Sequence, residues 1–286
     1  MKPNSKVDEG NAHMQAAEKA ASSGFFKKPD WDSAAASYVK AATAFKVAKE
    51  KEACAAAHRR AAGAFEASGS KFHAGKHLEL AAKEAARPQE AVPLLEQAAR
   101  LFRENGNGDK GAHCLAEAGA RAEEAHLLDE AVRLYRAACE VLEGEDRADS
   151  RVAGALLGCL IRTGDLEAAA AQCAAQEAHW ARRDNLPEAH RCANCRLVLL
   201  LARGDAVAAE RACRAALAEL PGYAESDAAR YALELLEAVR GDGAALAALQ
   251  SSAKFRYLEA PVVRLFRELR ATAAPAPEGA AEEDLT

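Results

Sequence analysis

The stretch AVPLLEQAARLF at residues 91–102 returns forty residues later as AVRLYRAACEVL at residues 131–142. An earlier pair, AAASYVKAATAF at 34–45 and AGKHLELAA at 74–82, has the same spacing. Each copy places alanines and large apolar residues at helical intervals, so the face of one helix is a groove of small side chains that receives a Tyr, Leu or Phe. One copy cannot bury this stripe alone. The repeat therefore predicts an all-α solenoid of stacked helices, a fold that generally binds other proteins.

The composition agrees with close helix packing. Half of the 286 residues are apolar, whereas only 5% are aromatic. The longest apolar runs, such as Leu197–Ala202, are far shorter than the roughly 18 residues that a membrane span needs. The first residues contain no apolar signal segment. We therefore expect a cytoplasmic protein whose eight cysteines are reduced and buried rather than paired in disulfides.

The net charge of −5 is concentrated at the end of the chain. Four acidic residues and no basic ones lie in the last sixteen positions, which leaves −1 for residues 1–270. A body without basic excess gives no reason to expect nucleic-acid binding.

The apolar periodicity predicts where each helix runs, and turn residues predict where it ends. We expect a helical array over residues 1–222, a C-terminal helical bundle over 223–271 that covers the open end of the array, and a disordered acidic tail over 272–286. Asp32 or Ser33 is expected to cap the second helix. The predicted helices are Val7–Ala21, Asp32–Glu50, Glu52–Ala67, Lys71–Ala86, Pro88–Glu104, Asp109–Glu124, Leu128–Leu142, Ser150–Thr163, Leu166–Asp184, Pro187–Arg203, Ala206–Leu220, Ser226–Arg240, Gly243–Ser251 and Ala260–Ala273.

Three local patterns resemble chemical sites. Residues 106–111, GNGDKG, match GxGxxG, but they follow a helix instead of the strand that a dinucleotide site requires. Cys192 and Cys195, with His190 nearby, resemble half of a zinc site, and His73 and His77 have the spacing of a metal-binding pair. No further ligands accompany either group. We expect a turn, buried structural cysteines and a partly exposed histidine pair, with no metal, cofactor or catalysis.

Two segments are not explained by folding alone. Phe25 and Phe26 are adjacent in a loop at residues 24–31, beside Lys27 and Lys28. Apolar side chains next to basic ones often contact an anionic bilayer; the alternative is that one Phe folds back as a hydrophobic staple. The tail is either solubilising or a linear motif that docks on a basic surface, and its last apolar residue is Leu285.

Several sequence blocks together resemble the soluble NSF attachment protein (SNAP) family, and within it the gamma-SNAP subfamily. The resemblance runs from about Glu9 to Tyr257. Its blocks are GFFKKPDWDSAA at 24–35, KAA at 40–42, FHA at 72–74, Leu101 with ENG at 104–106, AV at 131–132 with LY at 134–135, VAAER at 207–211, and KF at 254–255 with Tyr257.

This resemblance implies a tetratricopeptide-like twisted sheet of antiparallel helical hairpins with a C-terminal bundle. It implies an adaptor, not an enzyme, that binds SNARE complexes (syntaxin-type four-helix bundles) and recruits and stimulates NSF, a hexameric ATPase. NSF then disassembles the SNARE bundle after membrane fusion in vesicle-mediated intracellular protein transport. The adaptor itself would be cytoplasmic and peripherally associated with membranes.

The resemblance also assigns roles to residues. The loop residues Phe25, Phe26, Lys27 and Lys28 would contact the membrane, and the tail residues Glu282, Glu283, Asp284 and Leu285 would bind and stimulate NSF. Family members bind the SNARE bundle through basic side chains spread over one face. The basic residues that this chain offers for that contact are Lys110, Arg147, Arg151, Arg182, Arg183, Arg191 and Arg196.

Two other functions fit part of the sequence. A general tetratricopeptide-type scaffold without a membrane role explains the forty-residue period but not Phe25-Phe26 or the acidic tail that contains Leu285. A metalloprotein or enzyme built around His190, Cys192 and Cys195 would contain stoichiometric zinc.

Overall fold

The computed structural model of this protein describes residues 3–23, 28–241 and 243–271. These residues form α-helices and one short 3₁₀ helix, Ala253–Tyr257, and no β-strand occurs among them. The predicted all-α class is therefore confirmed. The helices are α1 (Pro3–Ala21), α2 (Trp31–Ala48), α3 (Lys51–Ala67), α4 (Lys71–Lys83), α5 (Pro88–Glu104), α6 (Gly108–Glu124), α7 (Leu128–Gly144), α8 (Ser150–Thr163), α9 (Leu166–Arg182), α10 (Leu186–Ala202), α11 (Ala206–Glu219), α12 (Asp227–Gly241), α13 (Gly243–Ser251) and α14 (Ala260–Glu268).

The chain divides into two compact units, Met1–Cys159 and Leu160–Thr286. The predicted organisation into an array to residue 222, a bundle over 223–271 and a tail stays a prediction.

In the first unit, consecutive helices from α1 to α7 pack against one another. Short turns join these helices, so neighbours run antiparallel as stacked hairpins. The repeated stripe is the packed face: the large residues Tyr38, Leu78, Leu95 and Tyr135 are each at most 5% exposed. The alanines of the four repeated stretches that form the stripe are buried with them. The sequence repeat is therefore the core of this unit.

Ion pairs show which helices of this unit lie side by side. The Arg100 guanidinium on α5 lies 3.0 Å from the Glu66 carboxylate on α3, and that of Arg133 on α7 lies 2.7 Å from Glu96 on α5. These bridges join α3, α5 and α7 into one layer. Because all four side chains are about a third exposed or more, each pair contributes little to stability, about 0–1 kcal/mol.

The turns between helices follow a regular pattern. Most helices end just before a residue with a left-handed backbone, and these residues often recur at intervals of twenty. Such a residue lets the chain reverse while it satisfies the last carbonyls of the helix. Glycine is favoured at these left-handed positions because it has no Cβ, and polar residues occupy some of them. The residues with positive φ are Lys49, Gly69, Gly106, His126, Asp146, Gly164, Asp184, Gly204 and Gly222.

The second unit is built around α10. The helices α9, α11, α12 and α14 and the 3₁₀ helix all pack on it, and the run Leu197–Leu201 is buried all round. Asn194 on α10 is fully buried. Its amide donates to the Ala228 carbonyl at 3.1 Å and its Oδ1 accepts from the Tyr223 hydroxyl at 2.6 Å. This satisfied polar group connects α10 to the turn after α11 and to the start of α12.

Some predicted boundaries are wrong. The second helix is capped by Asp30, not by Asp32 or Ser33, since the Asp30 carboxylate accepts from the Ser33 amide at 3.0 Å. The fourth helix ends at Lys83 and the last at Glu268, earlier than predicted. The 3₁₀ helix was not predicted. The apolar pattern of the sequence does not predict these features, because capping and helix ends depend on local hydrogen bonds.

The close approach of α6 to α7 gives a test of this packing. A Cβ added to Gly119 on α6 would lie 2.9 Å from the ring of the buried Tyr135 on α7, whereas a Cβ added to the exposed Gly63 on α3 meets nothing within 4 Å. We expect Gly119→Ala to lower the free energy of unfolding by about 1–3 kcal/mol through overpacking. The matched control Gly63→Ala should raise it by about 0.5–1 kcal/mol, because alanine favours the helix.

Urea unfolding monitored by circular dichroism measures both variants. Equal stabilisation by the two substitutions would show that the Tyr135 ring is not held against α6.

Candidate binding surfaces

The predicted membrane loop is only partly within the described residues. Phe25, Phe26 and Lys27 lie outside them, whereas Lys28 is described and exposed. The chain around the loop is fixed: the Asp30 amide donates to the Ala20 carbonyl at 3.0 Å, and Trp31 packs on the core formed by α1, α2 and α3. The residues that carry the loop are therefore anchored at the junction of α1 and α2.

The predicted NSF-binding residues, Glu282, Glu283, Asp284 and Leu285, all lie outside the described residues.

Three of the seven predicted SNARE-binding residues belong to the first unit, and each already has a partner within it. The Lys110 ammonium on α6 lies 5.1 Å from the centre of the Phe72 ring and 5.5 Å from that of Phe102. Arg147 forms an ion pair with Asp109. Arg151, whose side chain is 90% exposed, lies 3.2 Å from Asp149. These contacts are at the surface, so little free energy is lost when a stronger acidic partner replaces them.

The other four predicted residues belong to the second unit and differ in accessibility. Arg182 and Arg183 are exposed at the C-terminal end of α9, and among the described residues Arg182 has no acidic side chain within ion-pair distance. Arg191 and Arg196 are half-buried on α10. The Arg196 guanidinium lies 3.8 Å from Glu177 on α9, which connects two helices.

Arg191 connects α10 to the segment just before α14. It pairs with Glu188 on its own helix, and its Nε lies 3.0 Å from the carboxylate of Glu259, just before α14. The angle at Nε is too poor for a hydrogen bond, so this second contact is electrostatic. Of the four residues, Arg182 and Arg183 are therefore the more exposed.

The GxGxxG pattern has a structural explanation at each glycine. Gly106 takes a φ of 79° where α5 ends. A Cβ added to Gly108 would meet the carboxylate end of the exposed Glu145 side chain, and a Cβ on Gly111 would lie 2.6 Å from the side chain of Arg103. The segment follows α5 and begins α6, without the preceding strand that a dinucleotide site requires. The pattern is a helix junction, as predicted.

The cysteine and histidine pattern on α10 is also structural. Cys192 and Cys195 are buried, and burial raises the pKa of the Cys192 thiol to about 12. The Glu259 amide donates to the Cys195 sulfur at 3.1 Å. The ring of His190 is turned to the Pro221 carbonyl, 2.9 Å from its Nε2. Among the described residues, no group of three His, Cys, Asp or Glu side chains is placed to hold a metal ion.

The prediction of a partly exposed pair formed by His73 and His77 is wrong. His73 is exposed, but His77 is only 7% exposed and its partner is His58 on α3, with 3.1 Å between the two Nδ1 atoms. Sequence reasoning did not find His58. The available signal was its position in the buried stripe of α3, between Ala57 and Ala61, where a polar side chain needs a partner.

No described helix combines the length and apolarity needed to cross a bilayer.

A family model described as "Soluble NSF attachment protein, SNAP" matches residues 8–250 of this chain. The gamma-soluble NSF attachment protein of Dictyostelium discoideum is 33% identical over 151 residues, which cover 51% of this chain and 46% of that protein. The protein of the same name from Arabidopsis thaliana is 33% identical over 121 residues, which cover 41% of each. The chain thus aligns with somewhat less than half the length of these curated relatives. Both are named as attachment proteins, and the predicted resemblance to this family is confirmed.

Proposed function

This chain belongs to the soluble NSF attachment protein family, and on that basis we propose that it is an adaptor that binds SNARE complexes and recruits and stimulates NSF. NSF hydrolyses ATP and pulls the SNARE bundle apart, so the adaptor would act in intracellular membrane fusion and vesicle transport. The observation that carries this proposal is the family match across residues 8–250, which includes nearly all the described helices.

The acidic tail is the proposed contact with NSF. Three acidic residues precede Leu285 at the end of the chain, so the segment combines negative charge with one apolar anchor. A basic surface on the ATPase would attract the carboxylates, and Leu285 would bury its side chain there.

Deletion of residues 282–286 should abolish stimulation of the NSF ATPase while the chain still binds the SNARE complex. Leu285→Ser, which keeps every charge, should lose most of the stimulation if the leucine is the anchor. Steady-state ATP hydrolysis by NSF in the presence of SNARE complex measures both variants, with pull-down as the binding control. Undiminished stimulation by the deleted chain would refute the role of the tail.

Phe25, Phe26, Lys27 and Lys28 are the proposed membrane contact. Burial of two Phe side chains is worth about 3–6 kcal/mol before ordering costs, and adjacent lysines add attraction to anionic lipids. These contacts alone would bind a single chain to the membrane only weakly. They become effective when the SNARE complex holds the adaptor close to the membrane and so raises its effective concentration.

The double substitution Phe25→Ser and Phe26→Ser should weaken binding to anionic liposomes and leave helicity unchanged. Liposome flotation measures the binding, and far-ultraviolet circular dichroism provides the folding control. Equal flotation of the double variant and the unaltered chain would instead support the staple interpretation, in which a phenylalanine packs on α1 and α2.

Surface arginines and Lys110 are the proposed contacts with the SNARE bundle, whose outer face is acidic. In the first unit these are Lys110, which lies over two aromatic rings, and Arg147 and Arg151, which form surface ion pairs. In the second unit Arg182 and Arg183 are presented to solvent. Since the body carries almost no net charge, such local groups must supply the electrostatic attraction.

Substitution of Arg182 and Arg183 by glutamine should weaken SNARE-complex binding by roughly two- to thirtyfold, because each exposed ion pair is worth about 0.2–1 kcal/mol. The loss should shrink at higher salt, where such pairs are screened. Arg136→Gln, at another exposed arginine, is the matched control and should bind normally. Titration of labelled SNARE complex at two salt concentrations measures the effect, and an unchanged affinity in the double variant would remove these residues from the interface.

A further inference from the structure

Two histidines meet inside the first unit. His58 on α3 is 8% exposed and His77 on α4 is 7% exposed. Their Nδ1 atoms are 3.1 Å apart, which is hydrogen-bond distance. The Phe65 ring lies nearly parallel to His77, with centroids 5.2 Å apart and planes 8° from parallel. The α3–α4 hairpin is thus closed by a polar contact within an otherwise apolar interface.

The chemistry of imidazole limits what this contact tolerates. A neutral imidazole carries one N–H, so one Nδ1 donates and the other accepts, and the pair satisfies itself. If both rings are protonated, two N–H groups face each other with no acceptor. A single proton keeps the hydrogen bond but places a positive charge in a buried site. The closed arrangement therefore favours two neutral rings.

The surrounding charges do little to offset that preference. Glu84 favours a charge on His58, but it lies 3.8 Å from Lys46, which opposes that charge. Lys76 and His73 on α4 oppose a charge on His77. Burial lowers the pKa of His58, and burial together with the neighbouring His58 lowers the pKa of His77 to about 4. In an unfolded or opened hairpin, both rings return to the ordinary value for histidine.

We propose that the His58–His77 pair is a proton-sensitive latch between α3 and α4: neutral rings hold the hairpin closed, and acidification opens it. The sign follows from linkage. Below the ordinary histidine pKa, the open form binds protons and the closed form does not. The closed hairpin therefore has its full stability above that pKa. It falls as the pH drops toward the lowered value. This property is separate from the proposed adaptor function and does not depend on it.

Hydrogen exchange resolved by peptide tests the latch in the intact chain. Between pH 7 and pH 5 the protection factors of α3 and α4 amides, corrected for intrinsic exchange, should fall by roughly tenfold or more, as a pKa lowered to about 4 requires. Those of α5 and α6 should fall less. An equal fall across α1 to α7 would contradict a local latch.

Variants separate this pair from other titrating groups. The double substitution His58→Gln and His77→Gln leaves two amides that can bond to each other and cannot take up protons, so the acid-induced opening of α3 and α4 should disappear. His73→Gln, one turn away on the exposed face of α4, should retain it. Persistent opening in the double variant would overturn the proposal.

If the double variant does not fold, the imidazole ¹⁵N resonances of the unaltered chain test the proposal instead. One of the two rings should carry its proton on Nδ1 and the other on Nε2, and both should stay neutral at about pH 6, near where ordinary histidines titrate. Two charged rings at that pH in a closed hairpin would overturn the latch.

Discussion

The structure depends on the close approach of neighbouring helices across small side chains. Alanines of one helix form a floor on which a Tyr, Leu or Phe of the next helix packs, and Gly119 shows the limit, since not even a methyl group fits beneath Tyr135. Because no helix can bury its own stripe, stability arises from nearest neighbours along the array. The surface is left free to vary, and its exposed ion pairs contribute little to the fold.

This construction explains why the chain suits an adaptor. Its eight cysteines are all buried, its GxGxxG segment is a helix junction, and the described residues contain no cluster of metal-ligating side chains. In the described residues these features are therefore parts of a packed helical scaffold. In the sequence, the proposed contacts with lipid fall between α1 and α2, and those with NSF fall after α14.

Much of the fold could be predicted from sequence because it follows the apolar period. The buried residues of α2, α4, α5 and α7 are those of the repeated stretches, and the twenty-residue rhythm of turns falls where glycines and polar residues interrupt them. What the apolar pattern of the sequence missed depends on specific side-chain contacts, both local and between distant residues. The His58–His77 pair joins two helices, Asp30 caps by side-chain geometry, and the engagement of Arg191 with Glu259 spans 68 residues. For the binding surfaces, sequence supplied the basic residues, and structure showed which of them are already engaged.

The most direct test of the adaptor role is co-sedimentation of NSF with immobilised SNARE complex, with and without this chain, under nucleotide that is not hydrolysed and then under ATP. The account predicts that NSF is retained only when the chain is present, and that ATP hydrolysis releases both NSF and the chain from the matrix. Retention of NSF without the chain, or a chain that binds neither SNARE complex nor NSF, would contradict it.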